Sequence, residues 1–157
     1  GKYKTPADFS KDRVEVITRV AYLDDMVLSL LQRHLTLEAE DRLLSEGGPM
    51  GTFVLRAKLC LRLGMFSISF YSMLKALAEI RNICAHDKNN IEIFKMDKTK
   101  SFVNRAWSSL DKDFQFETQK EVKDRFFHII TVMTVELVDK LNKVEPAKIK
   151  QERYFQF

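Results

Sequence analysis

The apolar positions of this chain recur at helical spacing nearly from end to end. The clearest stretch is Ser67–His86, SISFYSMLKALAEIRNICAH. Phe70, Met73, Leu74, Leu77 and Ile80 fall at intervals of three and four, as in a helix that buries one stripe. Ser67 or Ser69 suits its start, because a hydroxyl can accept from a free first-turn N–H. The stretch closes on Arg81, Asn82 and His86, so an apolar element ends in a polar cluster.

The same spacing predicts a long first helix from Thr5-Pro6, or from Ser10, to His34. Val14, Ile17, Val20, Ala21, Val27, Leu28 and Leu31 form its expected stripe. Asp24 and Asp25 interrupt the helix, with one of them at the edge of the buried face. Leu37–Leu44 reads as a short helix stopped by Gly47 and Gly48, where glycine accepts a left-handed backbone, and Pro49 reinforces the break. Thr52 caps a helix Phe53–Leu63, with Phe53, Ala57, Cys60 and Leu61 on one side and Gly64 at its close. A polar loop follows at Asp87–Asn90. Ile91, Ile93 and Phe94 form a patch too short for a strand. Asp97 or Thr99 caps a helix through Phe102, Ala106 and Leu110. Phe114 and Phe116 lie in the next connection. A final helix is expected over Thr118–Lys143, with Val122, Phe126, Phe127, Ile130, Met133, Leu137 and Leu141 inward. Pro146 ends it, and the basic, aromatic tail is loose or docked.

Composition supports one all-α domain over 1–157, a bundle of about five to seven helices with loose termini at 1–6 and 146–157. Apolar residues make up 45% of the 157, with three Pro and five Gly, which argues against disorder. Twelve Phe imply an aromatic-rich core. The 26 basic and 22 acidic residues leave a mild net charge of +4. That balance permits nucleic-acid contact without arguing for it, because phosphate binding needs a concentrated basic face. The local run Lys95, Lys98, Lys100 and Arg105 reads as a solvated face.

Cys60 and Cys84 sit among apolar residues with no metal-type spacing, which reads as buried free thiols in a reducing compartment. Three His without an HExxH pattern give no metal site, and no cofactor motif is present. His34 reads as a helix C-cap and His128 as a packed or half-exposed residue. No run of about 18 apolar residues predicts a membrane span. The opening residues do not read as a secretory signal, and Gly1 is not a natural start.

The chemistry lies at Arg81, Asn82 and His86. On a regular helix Asn82 and His86 are about 40° apart, whereas Arg81 and His86 are about 140° apart. Asn82 can orient the His86 ring. Arg81 reaches the same site only if the helix end loosens or a second subunit brings another copy alongside. A guanidinium, an amide and an imidazole could together hold a phosphate, and the imidazole could move a proton near neutral pH. The structural alternative is that His86 favours the helix dipole and that Arg81 pairs with Asp24, Asp25 or Glu79.

From Tyr22 to His86 the chain resembles the mannitol operon repressor family of bacteria. The residues that carry the resemblance are Leu23-Asp24-Asp25, Gly48-Pro49, Thr52-Phe53, Arg56, Lys58-Leu59, Leu63-Gly64, Ile80-Arg81-Asn82 and Ala85-His86. The second half matches only as helical sequence. The resemblance implies an all-helical, cytoplasmic regulator of a sugar-alcohol operon. It points to a homodimer that acts through a protein partner, since neither the family nor this chain shows a clear DNA-reading motif. The helix pair around Gly47 and Gly48 offers only Arg56, Lys58 and Arg62 to phosphate. Asp24, Asp25, Arg56, Lys58, Arg81, Asn82 and His86 are the candidate binding residues on this reading.

Arg81-Asn82 and His86 also resemble the R-N-x-x-x-H signature of the wider HEPN superfamily, many of whose members are metal-independent ribonucleases. That second resemblance implies that Arg81 steadies a phosphate, Asn82 orients the site and His86 transfers a proton on a ribose 2′-hydroxyl, across a dimer interface. No rich basic surface surrounds those positions in the sequence.

Overall fold

A computed structural model describes residues 6–38, 40–87, 92–115 and 121–149. Five α-helices form one all-helical body: α1 (Pro6–Leu35), α2 (Phe53–Arg62), α3 (Ile68–His86), α4 (Asp97–Ser109) and α5 (Val122–Lys143). Short 3-10 turns at Ile93–Lys95 and Lys112–Phe114 precede and follow α4. No strand occurs among the described residues.

The body is built on α3. Ser67 Oγ accepts from the Phe70 N–H at 3.1 Å and fixes its start. Phe70, Met73, Leu74, Leu77 and Ile80 are all buried, as the spacing predicts. Ala76, Ala78 and Cys84 are buried as well. A stripe this broad lets α3 meet α1, α2 and α4, while α5 closes the core against α1 and α4. Aromatic rings fill the far side, where Phe94 packs on Phe126 at 5.4 Å and on Phe127 at 5.9 Å.

Four expectations need correction. Leu37–Leu44 is not helical among its described residues. Thr36, at φ 51°, turns the chain out of α1. The segment then folds as turns closed by Gly48 N–H to Ser45 C=O and Met50 N–H to Leu43 C=O. Eight residues are too few to hold a helix by propensity, and among the described residues of this stretch Leu44 is buried in the core while Leu37 and Leu43 pack only partly buried against it. Gly47 does adopt a left-handed φ of 80°, but as part of this turn. In α1 the inward register is Val16, Val20, Leu23, Val27 and Leu30, while Val14 is 61% exposed and Ala21 is exposed. At the start of α4, neither Asp97 nor Thr99 is the cap: Met96 holds that position without a side-chain bond, and Thr99 is fully buried.

His34 is the fourth. Its ring does not cap α1. Nδ1 lies 2.9 Å from the Glu145 carbonyl, so that nitrogen carries the proton and donates. The His34 carbonyl accepts from the Ala147 N–H, and Arg33 donates to the Leu141 carbonyl. The segment after α5 is thereby tied to the end of α1. The helix itself stops at Lys143, three residues before Pro146. His128 is half-buried against the Trp107 ring at 5.6 Å, as expected. The expected helical start at Thr118, the residues Phe116 and Ile91, and the tail 150–157 lie outside the described residues.

Both cysteines are free and buried. Burial pushes the Cys60 thiol up to about 12 and the Cys84 thiol up to about 11. Neither forms thiolate near neutral pH, so both are expected to resist iodoacetamide at pH 8 until denaturant is added. Mass spectrometry of alkylated protein checks this; fast labelling of native Cys60 would contradict the packing described.

Candidate site at the junction of α1, α2 and α3

Of the seven residues singled out in the sequence, the structure brings three together. Asp24 on α1 lies between two guanidiniums. Arg56 of α2 approaches its Oδ1 at 3.4 Å, and Arg81 of α3 approaches its Oδ2 at 3.6 Å. Arg56 is itself held. Its Nε donates to the Thr52 carbonyl at 3.2 Å and an Nη donates to the Gly51 carbonyl at 2.8 Å, so the loop entering α2 fixes the guanidinium. Arg81 also stacks on Phe53, 5.6 Å from the ring centroid. One carboxylate therefore ties three helices at a half-buried junction.

Asp24 Oδ1 is buried and accepts no hydrogen bond, so its contact with Arg56 is charge attraction without hydrogen-bond alignment. Burial is the largest influence on Asp24 and raises its pKa above the ordinary carboxylate value. Arg56 and Arg81 oppose that shift, and the neighbouring Asp25 adds to it.

The other four residues stand apart from this cluster. Asp25 and Lys58 are exposed. Asn82 and His86 are also exposed, on the α3 face that carries Lys75 and Glu79, not on the Asp24 side. α3 stays helical through His86, so it does not loosen to swing Arg81 toward the imidazole. Arg81 thus takes the first of the three acidic partners that the sequence offered.

Arg13 is a junction residue that the sequence did not reveal. One of its Nη atoms donates to the Asp87 carbonyl at 3.0 Å and to the Cys84 carbonyl at 3.4 Å. It satisfies carbonyls at the end of α3, next to His86. Lys123 similarly reaches buried Asp12 at 2.8 Å and ties α5 to α1. Both pairings span more than seventy residues and leave no local signal.

Among the described residues, no group of His, Cys, Asp and Glu could hold a metal ion, and no helix is long and apolar enough to cross a membrane. What the fold and junction define is a compact all-helical domain with an ion-paired three-helix joint. The chain belongs to the mannitol repressor family, whose sequence profile matches residues 11–143. No curated protein and no solved structure gives a significant match.

Proposed function

We propose that this protein regulates transcription of a mannitol-type sugar-alcohol operon as a cytoplasmic, homodimeric interaction module that works through a protein partner. The family match over 11–143 carries this reading. The course of residues 36–52 supports the partner-mediated form. The first member of the helix pair expected around Gly47 and Gly48 is a set of turns among its described residues, and Arg56 is committed to Asp24 and to the loop before α2. A recognition helix needs a supporting helix across the backbone and free side chains toward the groove.

The test is operator binding by the pure protein. The proposal expects no sequence-specific shift of an operator fragment, and a specific shift once the partner protein is added. A specific shift by the protein alone, weakening steeply with salt, would overturn the partner-mediated form.

A second reading, a HEPN-type ribonuclease, is favoured by one observation: Asn82 and His86 are exposed and one turn apart, within reach of a second copy. The pairing of Arg81 with Asp24 counts against it. RNA cleavage in chelator, lost in His86→Ala, would establish it; intact RNA with wild-type protein removes it for that substrate.

A further inference from the structure

The exposed side of α3 faces α4 across a groove of about 430 Å³. Ser72, Lys75 and Glu79 line it from α3; Lys98, Phe102 and Arg105 line it from α4. The spacing explains the convergence. Steps of three and four residues put each set on one helix face, and α4 packs directly on α3. Arg105 is steadied by its place over the Phe102 ring, 5.5 Å from the centroid. Buried Ala76 lies in the floor.

Among the described residues the charges in this groove face solvent or only a ring and have no ion-pair partner. Among the described residues neither Lys75, Lys98 and Arg105 nor Glu79 has an ion pair, although Lys123, Lys140 and Lys143 all pair elsewhere. Three cations around one groove repel each other, and an anion placed among them relieves that repulsion. The Arg105 fork and two ammonium groups suit a phosphate. Glu79 narrows the choice of ligand. A nucleic-acid backbone laid along the groove would run its phosphates past this carboxylate. A small molecule with a phosphate at one end and hydroxyls along its chain uses every polar group present. Its hydroxyls donate to Glu79 and exchange with the Ser72 hydroxyl, while its carbons lie over Ala76 and Phe102. The volume falls within the range of small-molecule sites.

We propose that the α3–α4 groove binds a small hydroxylated organic phosphate, a polyol or sugar monophosphate. Its role as an effector of transcription rests on the regulatory reading above; the binding itself does not.

Calorimetry on the full chain tests the groove, with a hexitol monophosphate, the same hexitol without phosphate, inorganic phosphate and a duplex oligonucleotide as probes. The hexitol monophosphate binds and the free hexitol does not. Inorganic phosphate binds roughly tenfold or more weakly than the hexitol monophosphate, because it lacks the bonds to Glu79 and Ser72. Lys98→Gln and Arg105→Gln each weaken the hexitol monophosphate about tenfold or more. Glu79→Gln weakens it too, yet leaves inorganic phosphate as tight or tighter. Lys98 and Arg105 are exposed, so these variants keep the fold, which circular dichroism verifies.

Four results overturn the proposal: no heat with millimolar hexitol monophosphate, affinity unchanged in the variants, equal affinity for inorganic phosphate, or tighter binding of the duplex through the same cations. An operon reporter separates this proposal from the regulatory reading. Lys98→Gln represses like wild type but no longer responds to the effector. If wild type represses nothing, the regulatory reading fails, while calorimetry still decides the groove.

Discussion

Leu77→Ala is expected to lower the unfolding free energy by about 2–5 kcal/mol. Leu77 is fully buried at the middle of α3, the helix that meets α1, α2 and α4. Truncation there loses the transfer free energy of the removed carbons and leaves a cavity that three packed helices cannot readily close. For a domain of this size the midpoint of thermal unfolding should fall by roughly 4–20 °C. Val135→Ala is the control. Val135 is 65% exposed, and its truncation should change stability by no more than about 0.5 kcal/mol. Equal melting of Leu77→Ala and Val135→Ala would remove α3 from the centre of the core.

The second large effect is expected at the three-helix junction. Arg56→Ala removes the cation nearest Asp24 and frees the loop carbonyls of Gly51 and Thr52. The side chains of Arg56 and Asp24 are 11% and 21% exposed, so solvent makes good only part of the loss. The expected cost is about 1–3 kcal/mol.

The same change has a signature in pH. Folded Asp24 holds its proton more tightly than the unfolded chain does, chiefly because of burial. Where the folded state binds more protons, stability falls as pH rises. The contribution of Asp24 therefore declines from the unfolded carboxylate pKa up through its raised folded value. Arg56→Ala removes the stronger of the two opposing influences, so the Asp24 pKa should climb further and the declining window should reach higher pH. Carboxyl-carbon NMR of Asp24 in wild type and Arg56→Ala checks this. An Asp24 pKa that stays put or falls in the variant would show that Arg56 is not its partner in solution.

The helix at the centre of the fold was legible because α3 carries its own instructions. A serine cap, a stripe at three- and four-residue spacing and a continuous run without breakers all point to one element. Two other places were not legible, for different physical reasons. In α1 both Val14 and Val16 are apolar, and spacing alone does not tell which of two valines, two positions apart, faces inward. The answer depends on where α3 and α5 lie. At Leu37–Leu44 the composition suits a helix, but the length does not, and the outcome was decided by Thr36 and by turn hydrogen bonds at Ser45 and Leu43.

The candidate site divides in the same way. The sequence identified Asp24, Arg56 and Arg81 as notable and offered Asp24 among the acids for Arg81. It did not show that both arginines converge on the same carboxylate, since that depends on how three helices cross. Asn82 and His86 share a face, as their spacing implied, but that face looks away from Arg81's partner. The α3–α4 groove was half visible. Lys98 and Arg105 stood out as part of a basic run, whereas Lys75 gained meaning only when α4 was packed against α3.

The proposed regulation of transcription is measurable in a strain lacking the chromosomal gene and carrying a mannitol-operon promoter fused to a reporter. Supplying the wild-type chain should lower reporter output, and a chain destabilised by Leu77→Ala should lower it less. Reporter output that is the same with and without the wild-type chain, at confirmed expression, would contradict the account.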